Sequence, residues 1–385
     1  MRIEPALLST GHAVESNAGC GLIRHLYVHI PFCPKVCPYC SFYKEASDRN
    51  KTRAFLDAVL LELDKFGARR VQPYTVFFGG GTPSALSTPQ LSYLITGLRN
   101  RLDLSQLREW TLEMNPATVS EEKAGLLLSL GVNRISMGVQ AWQSDLLIRL
   151  GRVHSAAQAL RSYQILRHSG YTKVNLDLIF GIPGQTPAQW EESLLETIDL
   201  NPEHISAYCL TYEEDTEYYR QLAAGKFSQN EVQDAALFEM TMGLLACHGY
   251  SQYEISNYAR PGEECLHNLA YWSGRDYLGL GPSAFSTVSG HRWQNVPNTS
   301  SYIDQIERKG SAHIFSEFLS RETQLTEKIV FGLRTNRGVA EELVEPWSDD
   351  VTDLETAGYL QRQAGAIILS RSGRMVADEI GELFV

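Results

Sequence analysis

The stretch "YVHIPFCPKVCPYCSFY" (residues 27–43) places three cysteines, Cys33, Cys37 and Cys40, within eight residues, and no fourth follows closely. A β-favouring run leads into a proline-rich loop that carries all three. Thiolates crowded in this way suit zinc, copper(I) or an iron–sulfur cluster. A structural zinc site pairs two short Cys-x-x-Cys arms, and no second arm is present, although His29 could complete a Cys3His site. An iron–sulfur cubane takes one thiolate per iron, so three thiolates leave one iron with an open position.

Outward from this loop, β-rich runs alternate with helical patterns. Strands are expected at "HLYVHI" (25–30), "YTVFFGG" (74–80), "WTLEMN" (110–115), "RISMGVQ" (134–140), "KVNLDLIFG" (173–181) and "HISAYCLTY" (204–212). Amphipathic stretches separate them, with Thr88 and Thr186 as N-caps before prolines. Six strand–helix units in series predict a parallel sheet with right-handed crossovers. The expected fold class is α/β, an open, partial (β/α)6 TIM-like barrel; a doubly wound sheet is the alternative. Either architecture gathers ligands at the carboxyl ends of the strands. The glycines at 79–81, Glu113, Asn115, Gln140, Asp177 and Gly181 fall there.

Four segments are expected: an N-terminal extension (1–23), the barrel (24–230), a loop-rich, aromatic-rich extension containing "HNLAYW" (231–317), and a small winged-helix-like C-terminal domain (318–385) with a hairpin near Ser370–Arg374. The chain is long enough for one large domain plus an appendage. Its net charge of −11 argues against non-specific nucleic-acid binding, and the appendage is not basic. No apolar run approaches the roughly 18 residues of a membrane span. The N-terminus is a poor signal peptide, and "SNAGC" before residue 21 lacks the apolar region of a lipoprotein leader. Seven cysteines, three of them packed within eight residues, fit a reducing cytoplasm better than a disulfide framework.

Two further motifs admit simple readings. "FFGGGTPS" (77–84) is no P-loop, because no Gly-Lys-Ser/Thr follows, and by itself reads as a strand end and turn. "GLGPSAF" (279–285) matches a dinucleotide fingerprint superficially, but lacks the strand–helix context.

The C-x3-C-x2-C loop after the first strand resembles the signature of the radical S-adenosylmethionine (SAM) superfamily. That resemblance implies a [4Fe-4S] cluster on Cys33, Cys37 and Cys40, whose open iron chelates the amino and carboxylate groups of SAM. An electron from a donor such as flavodoxin or ferredoxin then yields a 5′-deoxyadenosyl radical. By the same resemblance, Gly80, Gly81 and Thr82 approach the methionine amino group. Glu113 in "LEMNP", Gln140 in "RISMGVQ", Arg152 in "LGRVH" and Asp177 in "NLDLIFGIPGQT" contact its methionine and ribose parts. Tyr27, Tyr39 and Ala207 match further SAM-shell positions.

"YVHIPFC", "NLDLIFGIPGQT" and the C-terminal appendage narrow the resemblance to oxygen-independent coproporphyrinogen III oxidase (HemN type) and its relatives, over residues 24–385. The decarboxylase carries a further cysteine two residues after the third, where this chain has Phe42, and a longer region before its first strand. "HNLAYW" (267–272) is similar to the H-N-x-x-Y-W motif of HemW-type haem chaperones. The chaperone resemblance implies haem contact by His267 and delivery to acceptor haemoproteins, membrane cytochrome assemblies among the candidates. Cys265 is an alternative ligand, and Tyr271, Trp272 and His291 are weaker pocket candidates. Anaerobic decarboxylation of coproporphyrinogen III and radical methyl transfer are the rival activities.

Overall fold

The computed structural model describes residues 21–46 and 48–385. The "SNAGC" segment and all but the end of the expected N-terminal extension lie outside the described residues. Six strands, β1 (Ile23–Ile30), β2 (Val71–Gly80), β3 (Glu109–Met114), β4 (Arg134–Gln140), β5 (Val174–Phe180) and β6 (His204–Cys209), lie parallel in sequential order. Between and after them come α1 (Arg49–Phe66), α2 (Thr88–Arg99), α3 (Glu121–Ser129), α4 (Ser144–Arg149), α5 (Ala156–His168), α6 (Pro187–Asp199), α7 (Glu217–Ala223) and α8 (Glu231–Cys247). A doubly wound sheet reverses its strand order at a switch point; this order never reverses, which removes that alternative. On the β6 side, β7 (Ser251–Gln252) and β8 (Asn257–Ala259) add antiparallel pairs, and β9 (Leu278–Leu280) runs parallel beside β1. The result is an open, partial (β/α)6 barrel.

Alternate residues of each strand face the helices. Leu26, Val28, Val76, Phe78, Trp110, Leu112, Ile135, Met137, Leu176, Leu178 and Ile205 are all fully buried there, in one core with Leu91, Leu94, Leu127, Leu166 and Leu194. Each such side chain contributes about 1.5–3 kcal/mol on burial. Helix starts follow capping chemistry. Ser87, Ser155 and Thr186 each form a reciprocal capping box with a glutamine three residues on. Thr186 caps as expected. Thr88 does not: it occupies the first helical turn, and Ser87 before it is the cap, because only Ser87 accepts the Gln90 amide.

The segment expected to be loop-rich contains α9 (Leu266–Trp272), the antiparallel strands β10 (Phe285–Val288), β11 (His291–Asn295) and β12 (His313–Phe318), and α10 (Thr299–Lys309). Trp293, Tyr302 and Ile306 join the barrel core. At the C-terminus, α11 (Arg321–Leu333), β13 (Val339–Ala340), α12 (Ser348–Thr356), β14 (Leu360–Gln363), β15 (Ala366–Leu369) and α13 (Ala377–Glu382) form a small winged-helix-like unit. It has its own apolar cluster, with Ile329, Leu333, Val351, Ile367, Ile380 and Phe384 at its centre. Its hairpin turns at Ala364–Gly365, both in the left-handed region, and not near Ser370–Arg374, which leads into a 3-10 turn.

Candidate functional site

Parallel strands covered by helices on both faces read as continuous apolar runs. Here the face turned away from the helices is polar instead. His25, Tyr27 and His29 of β1 align with Thr75, Phe77 and Gly79 of β2. Beyond them lie Glu109, Thr111 and Glu113, then Arg134, Ser136 and Gly138, then Asn175 and Asp177, then His204 and Ser206. Alternation with the apolar face gives every strand this inward row.

The cysteine loop leaves β1 at Ile30 and is tied to the end of β2. The Gly81 amide donates to Ile30 O at 2.9 Å and the Thr82 amide to Phe32 O at 2.8 Å. Gly80 has φ +104°, and a Cβ there would lie 2.6 Å from the His29 ring; one on Gly81 would lie 2.7 Å from the Pro31 carbonyl. Close packing of the two strand ends thus demands glycine, whatever else the backbone contacts. Cys33, Cys37 and Cys40 are free and partly exposed. Thr82 Oγ1 lies 3.4 Å from Cys33 Sγ, Arg152 Nη1 donates to Cys37 Sγ at 3.7 Å, and Lys44 bonds the Cys40 carbonyl. Burial pushes the Cys33 and Cys40 thiols up, opposed chiefly by the Thr82 hydroxyl and by Lys44 respectively. A cavity of about 280 Å3 opens beside the loop, lined by Cys37, Cys40, Lys44, Thr216 and Arg220 among others. Three free thiols on one loop suit a soft-metal centre. His29 does not complete them, because its Nδ1 bonds Tyr27 Oη at 3.1 Å and its Nε2 the Tyr43 carbonyl at 2.9 Å.

Around the mouth, Glu113 and Asp177 are buried close enough to repel. Burial and then Asp177 push Glu113 up to about 8, against a hydrogen bond from the Gly80 amide. Burial raises Asp177 too, although Asn175 Nδ2 donates to it at 2.7 Å and Ser136 Oγ at 3.1 Å. Both carboxylates favour a cationic ligand. Gln140 ends β4 with φ +70°, at a bulge in the pairing with β5, and its amide folds over Gly138, where a Cβ would lie 2.6 Å from Nε2. A non-glycine residue held there stores strain of the kind found at ligand clamps. Arg152 Nη2 donates to Gly138 O at 2.8 Å, while its buried Nε has no partner among the described residues and suits an anionic one. Tyr39 packs between Arg152 and Tyr218. Tyr27, Gly80, Gly81, Thr82, Glu113, Gln140, Arg152 and Asp177 therefore share one mouth with the cysteines. Ala207 stands apart: it is on the helix-facing side of β6 and fully buried, so only its backbone can face a ligand.

His267 lies elsewhere, in the layer of His25, Thr75 and Glu109. That layer precedes the level of His29, Gly79 and Glu113 by four residues, about 13 Å along the strands. Glu109 anchors the first turn of α9, accepting the Leu266 amide at 3.1 Å, the His267 amide at 3.0 Å and the Cys265 thiol at 3.4 Å. The His267 ring stacks near Phe77 (centroids 5.2 Å apart), and Phe77 stacks on Tyr27 (6.3 Å). Burial, with a smaller effect of His25, pushes His267 down to about 3. It is a neutral imidazole, the form that binds metals. Cys265 is buried, with its thiol pushed up to about 12 by burial and Glu109, and serves the anchor. Tyr271 and Trp272 pack on Phe331 of α11. His291 stacks on Phe318 at 4.5 Å and bonds Ser316 Oγ, in the β10–β12 sheet.

Sequence reading passes over His25, Thr75, Glu109, Ser136 and Asn175, and over Tyr208, which is half-exposed on the inward face beyond Asp177. The signal was present as polar residues at alternate positions, as in "EWTLEM" (109–114).

Residues 27–196 match the radical SAM superfamily. The heme chaperone HemW of Bacillus subtilis is 35% identical, with 94% of this chain and 99% of that protein covered. The heme chaperone HemW of Escherichia coli is 34% identical, with 94% and 97% covered. Among solved structures, coproporphyrinogen III oxidase (HemN) of Escherichia coli superposes with a TM-score of 0.81 over 94% of this chain and 90% of that one, at 24% identity, a likeness of fold. Together with the cysteine loop and the barrel that carries it, these matches show that the chain belongs to the radical SAM superfamily and, within it, to the HemW family.

Proposed function

We propose that the chain is a haem chaperone that holds a [4Fe-4S] cluster and SAM at the carboxyl ends of its strands and haem at His267. The observation that carries this reading is the placement of His267: a neutral imidazole on an anchored helix turn, four residues back along the strands from the level where the cysteine loop leaves β1. Phe42 supports it, being exposed at the position where the decarboxylase has a further cysteine. So do the names of the HemW relatives.

Cys33, Cys37 and Cys40 would hold the cluster, which supplies one-electron chemistry once reduced by a donor such as flavodoxin or ferredoxin. Glu113 and the Gly80–Thr82 backbone would meet the ammonium of SAM, Arg152 its carboxylate, and Asp177 its ribose hydroxyls. Gln140, Tyr27, Tyr39 and the Ala207 backbone would complete the pocket. The same reading divides the chain into the extension (1–23), the barrel (24–230), the segment bearing "HNLAYW" (231–317) and the C-terminal domain (318–385). It places the protein in the cytoplasm, delivering haem to acceptor haemoproteins that include membrane cytochrome assemblies. No helix among the described residues is long and apolar enough to cross a membrane. Reduced protein given SAM and coproporphyrinogen III under anoxia is the test against the decarboxylase: the expected result is no stoichiometric decarboxylation, and turnover to the divinyl product overturns the reading.

A further inference from the structure

Two histidines from distant parts of the chain share one hydroxyl. Thr75 Oγ1 is fully buried, 2.9 Å from His25 Nδ1 and 2.8 Å from His267 Nδ1, and these are its side-chain partners among the described residues. A hydroxyl has one proton to give and lone pairs to accept with. Both ring nitrogens therefore cannot be acceptors. A buried hydroxyl proton left without an acceptor is costly as well. All three groups are satisfied only when one imidazole donates to Thr75 and Thr75 donates to the other. The two rings then hold opposite tautomers. The two nitrogen–oxygen distances and the single hydroxyl proton fix this alternation for a pair of uncharged imidazoles.

We propose that Thr75 and His25 are positioning residues that fix His267 as its Nδ1–H tautomer, so that the Nε2 lone pair is presented to the haem iron. The inference rests on the reading of His267 as haem ligand and deepens it. An imidazole that ligates through one nitrogen donates its other N–H to a group that orients the ring. Thr75 Oγ1 is that group, and His25 Nδ1 receives the hydroxyl proton in turn. Phe77 against the ring and Glu109 on the backbone amide remove the remaining freedom.

The test begins without haem. In 15N-histidine-labelled protein, with resonances assigned through His25→Gln and His267→Gln, NMR reads which ring nitrogen carries each proton. The expected result is Nδ1–H for His267 and Nε2–H for His25; an Nε2–H tautomer for His267 overturns the proposal, and this holds even where a Thr75 variant fails to fold. Thr75→Val removes the hydroxyl at nearly constant shape and Thr75→Ser restores it. The valine variant is expected to mix the tautomers and weaken haem binding about 10- to 100-fold, with the serine variant close to wild type. If His267→Ala abolishes haem binding while Thr75→Val changes neither tautomer nor affinity, His267 is the ligand and the positioning role is wrong. If His267→Ala leaves haem binding unchanged, the ligand reading falls and this proposal with it.

Discussion

The carboxylate of Glu109 accepts the backbone amide of His267 at 3.0 Å, across 158 residues of sequence. The same carboxylate faces the buried guanidinium of Arg134 at 4.0 Å. One acid therefore fixes α9 to the inward face of the sheet and balances a buried cation. Glu109→Ala is expected to destabilise the protein by about 3–5 kcal/mol, since it removes the carboxylate that pairs with the buried Arg134 guanidinium. Glu109→Gln, which keeps an acceptor oxygen, should cost less. Denaturant melts of the two variants check the order.

The cysteine loop and the mouth residues should separate by experiment. Substituting Cys33, Cys37 or Cys40 by alanine should abolish the broad absorption near ~400 nm of anaerobically reconstituted protein, since in the proposed site each thiolate would hold one iron. Arg152→Lys should keep that absorption and weaken SAM binding about 10- to 100-fold, because lysine cannot reproduce the planar fork that reaches both Gly138 O and Cys37. Equilibrium dialysis against SAM reads the second effect, and equal affinity would show that Arg152 serves packing alone.

Gly80 and Gly262 both have positive φ, of +104° and +83°, but differ in their surroundings. A Cβ on Gly80 strikes the His29 ring, whereas one on Gly262 meets nothing within 4 Å among the described residues. Gly262→Ala should cost about 1 kcal/mol of backbone strain. Gly80→Ala should cost clearly more and should also impair cluster retention, since His29 packs beneath the loop. Paired melts with iron quantitation would expose the error if both variants behaved alike.

Stability should depend on Glu62 in the opposite sense to an ordinary surface acid. This α1 carboxylate is buried, accepting Tyr302 Oη at 2.5 Å, Asn295 Nδ2 at 2.7 Å and the Gly281 amide at 2.9 Å. Burial outweighs these donors and pushes it up to about 7, above the unfolded value of 4.5. The folded chain therefore binds more protons than the unfolded chain above the unfolded value. Glu62 favours folding fully below pH 4.5, and that contribution is lost as pH rises towards 7. Between pH 5 and 8 the wild type should lose more stability than Glu62→Gln, whose amide does not ionise. Urea melts at both pH values check the sign.

The strands were legible because β-branched and aromatic residues mark their apolar faces, and the mouth residues because they sit where those strands end. The nine-residue "KVNLDLIFG" (173–181) announces β5 to within one residue at each end. Strands of two to four residues, such as β7 to β9, carry too little periodicity to be read, so the region around α9 looked like loops. "GLGPSAF" had a structural cause: Gly281 has φ +97°, and a Cβ there would lie 2.5 Å from His29 O. The roles of Thr75, His25 and Glu109 depend on which side chains meet across the sheet. His267 is 192 residues from Thr75, and local sequence holds no trace of that contact.

In the proposed function, haem binds this chain through His267. Anaerobic titration of reconstituted protein with haem, followed through the Soret band for wild type and His267→Ala, tests it most directly. Specific, saturable binding by the wild type is expected, with a loss of at least ~10-fold in affinity and an altered axial-ligand spectrum in the variant. No saturable binding by the wild type, or superimposable titrations of the two proteins, would contradict it.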